Sequence, residues 1–328
     1  MKVCEKCLLS DNIPSVRINS SGLCNYCDVY PETKKLDNAG DDGFSELLNK
    51  YGHKKYQVLM AYSGGKDSTY TLKLIKEKYD ASILAVTFNN CFLSESCMKN
   101  ISVVTDRLGV ESLIVKYPVG KLINAFKFAE SGGIFPRQSL ERASSICNLC
   151  IMLVKNLVYY EAIVRDIPII CFGWTPGQVE AAKPVLKLNH RMVTKVFENI
   201  RSAVTGELGG DYARYFIDEK FMNENEDRIP YLYYPFVDNT YDEEKIVDEI
   251  REIGWEPPRN TDGNSSNCLL NSYANQRHLE RYGYHPYAFE ISSLVREGYM
   301  TREEGSKKLE NVKNDRMFEI INEKFQNT

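Results

Sequence analysis

The chain is poor in histidine. It has four, His53, His190, His278 and His285, and no two are spaced like ligands of one metal. It has no excess of positive charge either: 41 basic side chains stand against 45 acidic ones, a net charge of −4. That balance argues against a protein built chiefly to grip a nucleic-acid backbone, a task that calls for a basic face. No uninterrupted apolar run approaches the about 18–20 residues that cross a bilayer. The first residues, MKVCEKCLLSDN, lack the apolar centre of a secretory signal. No internal repeat or low-complexity segment is visible. Together these absences predict a cytoplasmic protein with no membrane partner. At 328 residues, the length predicts about two domains plus a small appendage.

What the chain has in quantity is cysteine, ten in all. Disulfides are rare in a reducing compartment, so clustered cysteines there point to metal or to catalysis. Cys4-x-x-Cys7, a gap of sixteen residues, and Cys24-x-x-Cys27 form a zinc pattern: two knuckles that bring four thiolates to one tetrahedral ion. A closed site of four thiolates has no open position, so its expected role is to fold a segment too short for its own core. Residues 1–45 are read as this zinc-binding module and a linker.

From residue 56 the pattern alternates. Strands are expected at 56–62, 81–88, 111–117 and 167–174. Helices are expected at 69–79, 97–109 (closed by Gly109), 120–131 (stopped by Gly132 and Gly133) and 149–165. Alternation of this kind predicts an α/β fold with a parallel, doubly wound, Rossmann-like sheet over residues 46–215. The pattern weakens after about residue 175. Residues 216–328 are read as mostly helical, with an amphipathic helix at 242–253, a polar loop at 260–267, and Thr301 and Glu304 as a capping box.

The strand at 56–62 runs into Ser63-Gly64-Gly65-Lys66-Asp67-Ser68 and then into a helix. Two glycines let the backbone turn sharply and approach an anion. The amides that open the helix point at that anion, aided by the helix dipole. Lys66 adds a cation, and Ser63 and Ser68 add hydroxyls. This is a phosphate cradle, though not the Walker form, because Met60 stands where the first Walker glycine belongs.

SGGKDS resembles the pyrophosphate loop of the ATP pyrophosphatase (PP-loop) superfamily. The resemblance covers roughly residues 56–270. It implies ATP with Mg2+ as cofactors and Lys66 and Asp67 as the catalytic residues. The nucleotide would lie against Ser63, Gly64, Gly65, Lys66, Asp67 and Ser68, the strand end at Thr87 and Phe88, and Gly173. It also implies attack of a substrate oxygen on the α-phosphate, release of pyrophosphate, and displacement of AMP by a nitrogen or sulfur nucleophile. The first cysteine module, continuing C-x-x-C-L-L-S-D-N-I-P and later S-G-L-C-N-Y-C, resembles the N-terminus of N-acetyl sugar amidotransferases.

The second cysteine set is Cys147-x-x-Cys150, just before the helix at 149–165, with Cys268 in the C-terminal region. Three cysteines can hold three corners of a [4Fe-4S] cluster and leave one iron open. Their placement resembles that of cluster-dependent tRNA thiolation enzymes of the same superfamily. A persulfide pair and buried structural thiols are the alternatives. Cys91, Cys97 and Cys171 have no pairing logic, and Cys171 reads as core. Gln178 and Glu180, after the 167–174 strand, are candidate substrate contacts. Lys183, Lys187, Arg191 and Lys195 read as a solvated face, and His278 and His285 as surface residues near Arg277 and Arg281.

Two second half-reactions follow. In the first, the adenylated oxygen is replaced by sulfur carried on the cluster. In the second, an N-acetyl sugar amidotransferase uses ammonia from a partner glutaminase to make an acetamidino sugar. A non-catalytic nucleotide-binding subunit is a third reading, against which the intact loop argues. The acidic balance favours a small molecule or sugar over tRNA as substrate. A sulfur donor or a glutaminase is the expected partner, and a homodimer stays open.

Overall fold

A computed structural model describes residues 1–30, 43–179, 183–237, 241–258, 264–265, 267–310 and 315–326. Glu180 therefore lies outside the described residues, as does most of the 260–267 loop. The strands are β1 Val58–Ala61, β2 Ile83–Asn89, β3 Glu111–Lys116, β4 Ile169–Phe172, β5 Val185–Lys187 and β6 Tyr231–Tyr233. Helices α1 Asn25–Asp28 and α2 Phe44–Lys50 precede the sheet. Helices α3 Lys66–Tyr79, α4 Glu95–Arg107, α5 Val119–Ser131, α6 Arg137–Leu140 and α7 Ser145–Val164 alternate with the first four strands. Then come α8 His190–Leu208, α9 Glu219–Glu224, α10 Glu243–Glu252, α11 Leu270–Tyr282, α12 Ala288–Arg296, α13 Arg302–Glu310 and α14 Asp315–Gln326.

The six strands form one sheet in the order β3-β2-β1-β4-β6-β5. All neighbours are parallel except β5, which pairs antiparallel with β6 at one edge. Successive strand residues point to opposite faces, and here both faces are covered. Leu59, Leu84, Val86, Ile170 and Leu232 enter a core shared with α5, α7 and α8. Val58, Met60, Ile83, Ala85, Ile169 and Tyr233 enter the core on the opposite face, shared with α2, α3 and α4. Burial on both faces is why β1, β2 and β4 read as unbroken apolar runs rather than as alternating ones.

Several expectations are corrected. The segment after residue 175 hides two strands, β5 and β6. Each is three residues long, and Pro230 and Pro235 bracket β6, so neither gives a periodic signal. The 149–165 helix begins earlier, at Ser145, because the Ser144 hydroxyl accepts from Cys147 N. Cys147 and Cys150 therefore lie within its first turns, not before it. By length and composition alone, α7 is apolar enough to cross a membrane. Its side chains instead fill the core between α5, α8 and the sheet. His278 and His285 are buried, 3% and 7% exposed, not on the surface. Desolvation holds both imidazoles down to about 4, and the neighbouring His285 adds to the effect on His278.

The N-terminal module does not stand apart. Its cysteines share a core with Tyr284, Ala288 and Phe289. Ser15 bonds Glu141 through both its N–H and its hydroxyl. Arg302 donates to the carbonyls of Cys4 and Glu5. Thr301 and Glu304 form the expected capping box that starts α13.

Candidate functional site

The loop 63–65, expected from the sequence to cradle phosphate, joins β1 to α3 at the carboxyl end of the sheet, where open α/β folds place ligands. Gly64 takes φ +72°, and a Cβ there would sit 2.9 Å from both the carbonyl oxygen and the sulfur of Cys97. Glycine is required on both counts. The loop is fastened from several sides. Trp255 Nε1 donates to Gly64 O at 3.1 Å. Cys97 Sγ and Asn267 Nδ2 both approach Ser63 O, at 3.0 and 3.4 Å. Ser63 and Ser68 bond each other through their hydroxyls at 3.0 Å. Gly173, at the end of β4, packs so closely on α3 that a Cβ there would lie 2.6 Å from Ser68 Cα.

Lys66 is held by several partners. Its ammonium meets Tyr241 Oη at 2.7 Å, Asp67 Oδ1 at 3.0 Å and Glu243 Oε1 at 3.5 Å. Tyr241 in turn donates to Asp67 Oδ1 at 3.1 Å. Burial opposes ionisation of Glu243, yet the ammonium groups of Lys66 and Lys308 hold its carboxyl below the usual carboxylate range. The cluster places the Lys66 ammonium beside the N-terminus of α3, paired with two carboxylates. Thr87 is buried, and its hydroxyl donates to Tyr62 O at 2.7 Å. The Phe88 ring packs edge-on against Tyr117. Both side chains at this strand end are thus engaged within the protein.

The four N-terminal cysteines converge with all Sγ atoms within 4.8 Å of one another, the only such group among the described residues. Cys7 and Cys24 sulfurs lie 3.7 Å apart. A tetrahedron with Zn–S bonds of about 2.3 Å has edges of about 3.8 Å, so the donor set fits zinc. Backbone N–H groups of Cys24 and Leu9 point at the sulfurs of Cys4 and Cys7, and Arg296 Nε donates to Cys27 Sγ at 3.3 Å. These donors offset the negative charge of four thiolates.

In the second set, Cys150 and Cys268 meet at one side chain and Cys147 lies against another. Cys147 and Cys150, three residues apart on α7, share one helix face. Cys268 arrives from the far end of the chain: it bridges to Leu93, while Leu269 N donates to Phe92 O at 2.8 Å. Asn90 Nδ2 lies 3.5 Å from Cys150 Sγ and 3.4 Å from Cys268 Sγ. Asn271 Nδ2 approaches Cys147 Sγ at 3.7 Å. Burial pushes the Cys150 and Cys268 thiols up, so without a metal they stay protonated. Three thiols are one donor short of a closed four-coordinate site. Cys171 is fully buried in β4, as core.

Sequence reasoning missed Asn90, Tyr241, Glu243, Asn267 and Glu290. Glu290 is the least expected. It sits on α12 among Ala288, Phe289 and Ile291, all buried. Its carboxylate accepts from Thr175 Oγ1 at 3.1 Å and Gln178 Nε2 at 3.0 Å. Burial pushes it up to about 7, against the pull of those two hydrogen bonds, and the charges of Asp67 and Lys66 both reach it. An acid among core positions of a helix was the one signal available.

No protein-family model matches the chain. An uncharacterized protein of Methanocaldococcus jannaschii is 23% identical over 283 residues, covering 86% of this chain and 82% of its own length. Among solved structures, the U34-tRNA thiolase NcsA of Methanococcus maripaludis, with its [4Fe-4S] cluster, superposes at TM-score 0.36 and 16% identity, over 96% of this chain and 90% of its own. The NH3-dependent NAD synthetase of Campylobacter jejuni superposes at TM-score 0.31 and 13% identity, over 56% of this chain and 88% of its own. At these scores the likenesses assign no activity to this chain.

Proposed function

We propose that the chain is an adenylating enzyme of the PP-loop ATP pyrophosphatase type that exchanges a substrate oxygen for sulfur. The observation that carries the sulfur reading is that Cys150 and Cys268 share the Asn90 amide, with Cys147 one helical turn before Cys150 on α7 and Asn267 bonded to Ser63 O. In this reading the amides opening α3 and the Lys66 ammonium hold the β,γ-pyrophosphate of ATP. The acceptor oxygen attacks the α-phosphorus; a new P–O bond forms, and the bond to the bridging oxygen breaks, its electron pair leaving on pyrophosphate. The loop stabilises charge on that leaving group without having to reorganise. Sulfide then adds to the activated carbon, and AMP departs with the former acceptor oxygen. Glu290, with its carboxyl near 7, is suited to take the proton that the incoming nucleophile loses. A cluster held by Cys147, Cys150 and Cys268 would supply an open iron position for the sulfide. Zinc held by Cys4, Cys7, Cys24 and Cys27 has a structural role.

A second reading keeps the first half-reaction and replaces sulfide by ammonia from a partner glutaminase. It is favoured by the N-terminal cysteine module, whose sequence resembles that of sugar amidotransferases and which here backs the helix carrying Glu290. One measurement separates the two: iron, acid-labile sulfide and zinc per chain after anaerobic purification, with the visible spectrum. Iron and sulfide at about four each, with one zinc, support sulfur transfer. Zinc alone, even after anaerobic reconstitution, removes that reading and leaves the amidotransferase.

A further inference from the structure

A cleft of about 320 Å3 opens between α7, residues 174–178 after β4, and α12. Its size is at the small end of ligand pockets, about 300–1,000 Å3, and suits a small molecule. One edge holds Cys147, and another holds Gln178 and Glu290, so it touches both halves of the site described above.

Two side chains in this cleft have unmet needs. Asn275 is 1% exposed, and its Nδ2 donates to Asn271 Oδ1 at 2.9 Å. Its Oδ1 has no hydrogen-bond partner among the described residues. A buried carbonyl oxygen without a donor is costly unless something supplies one. Asn271, which receives that bond, also approaches Cys147, so the asparagine pair links cleft and thiol. Lys155 projects from α7 with its ammonium 4.8 Å from the centroid of the Trp174 ring. Among the described residues no carboxylate lies within ion-pair distance of it. Burial alone pulls its ammonium below the ordinary lysine range, which marks a cation short of a counter-charge.

We propose that this cleft is the acceptor site and that it takes a small hydroxylated acid, its anionic group paired with Lys155 and a hydroxyl or amide N–H donating to Asn275 Oδ1. The aromatic walls, Trp174 and Phe289, suit the C–H faces of a sugar ring. Gln178 and Glu290 lie where the reacting group would meet the nucleotide. The proposal rests on the adenylating reading and adds the substrate class to it. A carboxylate and a phosphate have the same chemistry toward Lys155, so both sources enter the test.

The test is ligand-observed saturation-transfer NMR on the full-length protein, purified anaerobically with its metals. The acidic probes are glucuronate and N-acetylglucosamine 6-phosphate. The neutral controls are glucuronamide and N-acetylglucosamine. ATP with Mg2+ is titrated in parallel as a report on the loop. At least one acid is expected to bind about tenfold or more tightly than its neutral partner, the worth of a charge-assisted pair. Which acid binds identifies the anionic group. Lys155→Met is expected to remove that preference and Lys155→Arg to keep it, with ATP binding unchanged in both. If Lys155→Met does not fold, the acid-to-neutral comparison in the wild type decides. Equal binding of acid and neutral partner, no sugar binding at all, or an unchanged preference in Lys155→Met overturns the proposal. Displacement of the sugars by transfer RNA in a Lys155-dependent way overturns the small-molecule class. Failure of the wild type to bind ATP strikes instead at the adenylating reading.

Discussion

Asn267 Nδ2 donates to the carbonyl oxygen of Ser63 at 3.4 Å, so the residue before Cys268 is tied to the first residue of the phosphate loop. Ser94 N bonds Asn267 O at 3.0 Å in the same short pairing. A thiol from the C-terminal region is thereby fixed beside the phosphate cradle. Cys268→Ala is expected to lose iron while retaining zinc and the fold. Metal analysis of the anaerobic variant checks this, and full retention of iron would remove Cys268 from the ligand set.

Lys66 sits among Tyr241, Asp67 and Glu243. Lys66→Ala should lower ATP–pyrophosphate exchange by at least about a hundredfold, the usual effect of removing one preorganised donor. The far-ultraviolet circular dichroism should not change. Exchange at the wild-type rate would mean that the loop has been misassigned.

Gly173 leaves no room for a side chain against Ser68 Cα. Gly173→Ala must push β4 away from the first turn of α3, where both backbones are fixed. The expected result is ATP affinity weakened by at least about tenfold, with about 1–3 kcal/mol lost from stability. Calorimetric titration with ATP and thermal melting measure the two effects.

Glu290 gives a pH signature. The folded chain holds its proton to about pH 7, against a usual value of 4.5. Between those values the folded state binds the proton and the unfolded state does not, so its contribution to stability falls as pH rises through that window. The charged groups acting on it are Asp67 and Lys66, and Lys155 and Arg142 line the same cleft. Glu290→Gln should be more stable than wild type at pH 8 by about 1–3 kcal/mol and nearly equal at pH 4. Melting curves at the two pH values test this; a variant less stable at pH 8 would contradict it.

The four-cysteine module, proposed to hold zinc, shares its core with Tyr284, Ala288 and Phe289. Cys4→Ser should lose zinc and lower the melting temperature, and the exposed apolar face of α12 should bind a hydrophobic dye. Loss of zinc without any change in melting would show that α12 is held in place by other contacts.

Local sequence determined much of this protein. The SGGKDS string between an apolar strand and a helix fixed the cradle, because glycine torsions and helix-end amides act within a few residues. The paired knuckles marked the four-cysteine cluster for the same reason. Apolar runs marked β1, β2 and β4, since burial on both faces leaves a continuous signal. The tertiary structure decided what depends on chain crossings. Cys268 meets Cys150 at Asn90 only because residues 267–269 pair with residues 92–94. Tyr241 and Glu243 reach Lys66 only because α10 packs on α3. Three-residue strands β5 and β6 are specified by their neighbours rather than by their own period. The placement of Glu290 depends on the docking of α12 against the zinc module and the loop after β4, and contacts so distant in sequence leave no spacing to read.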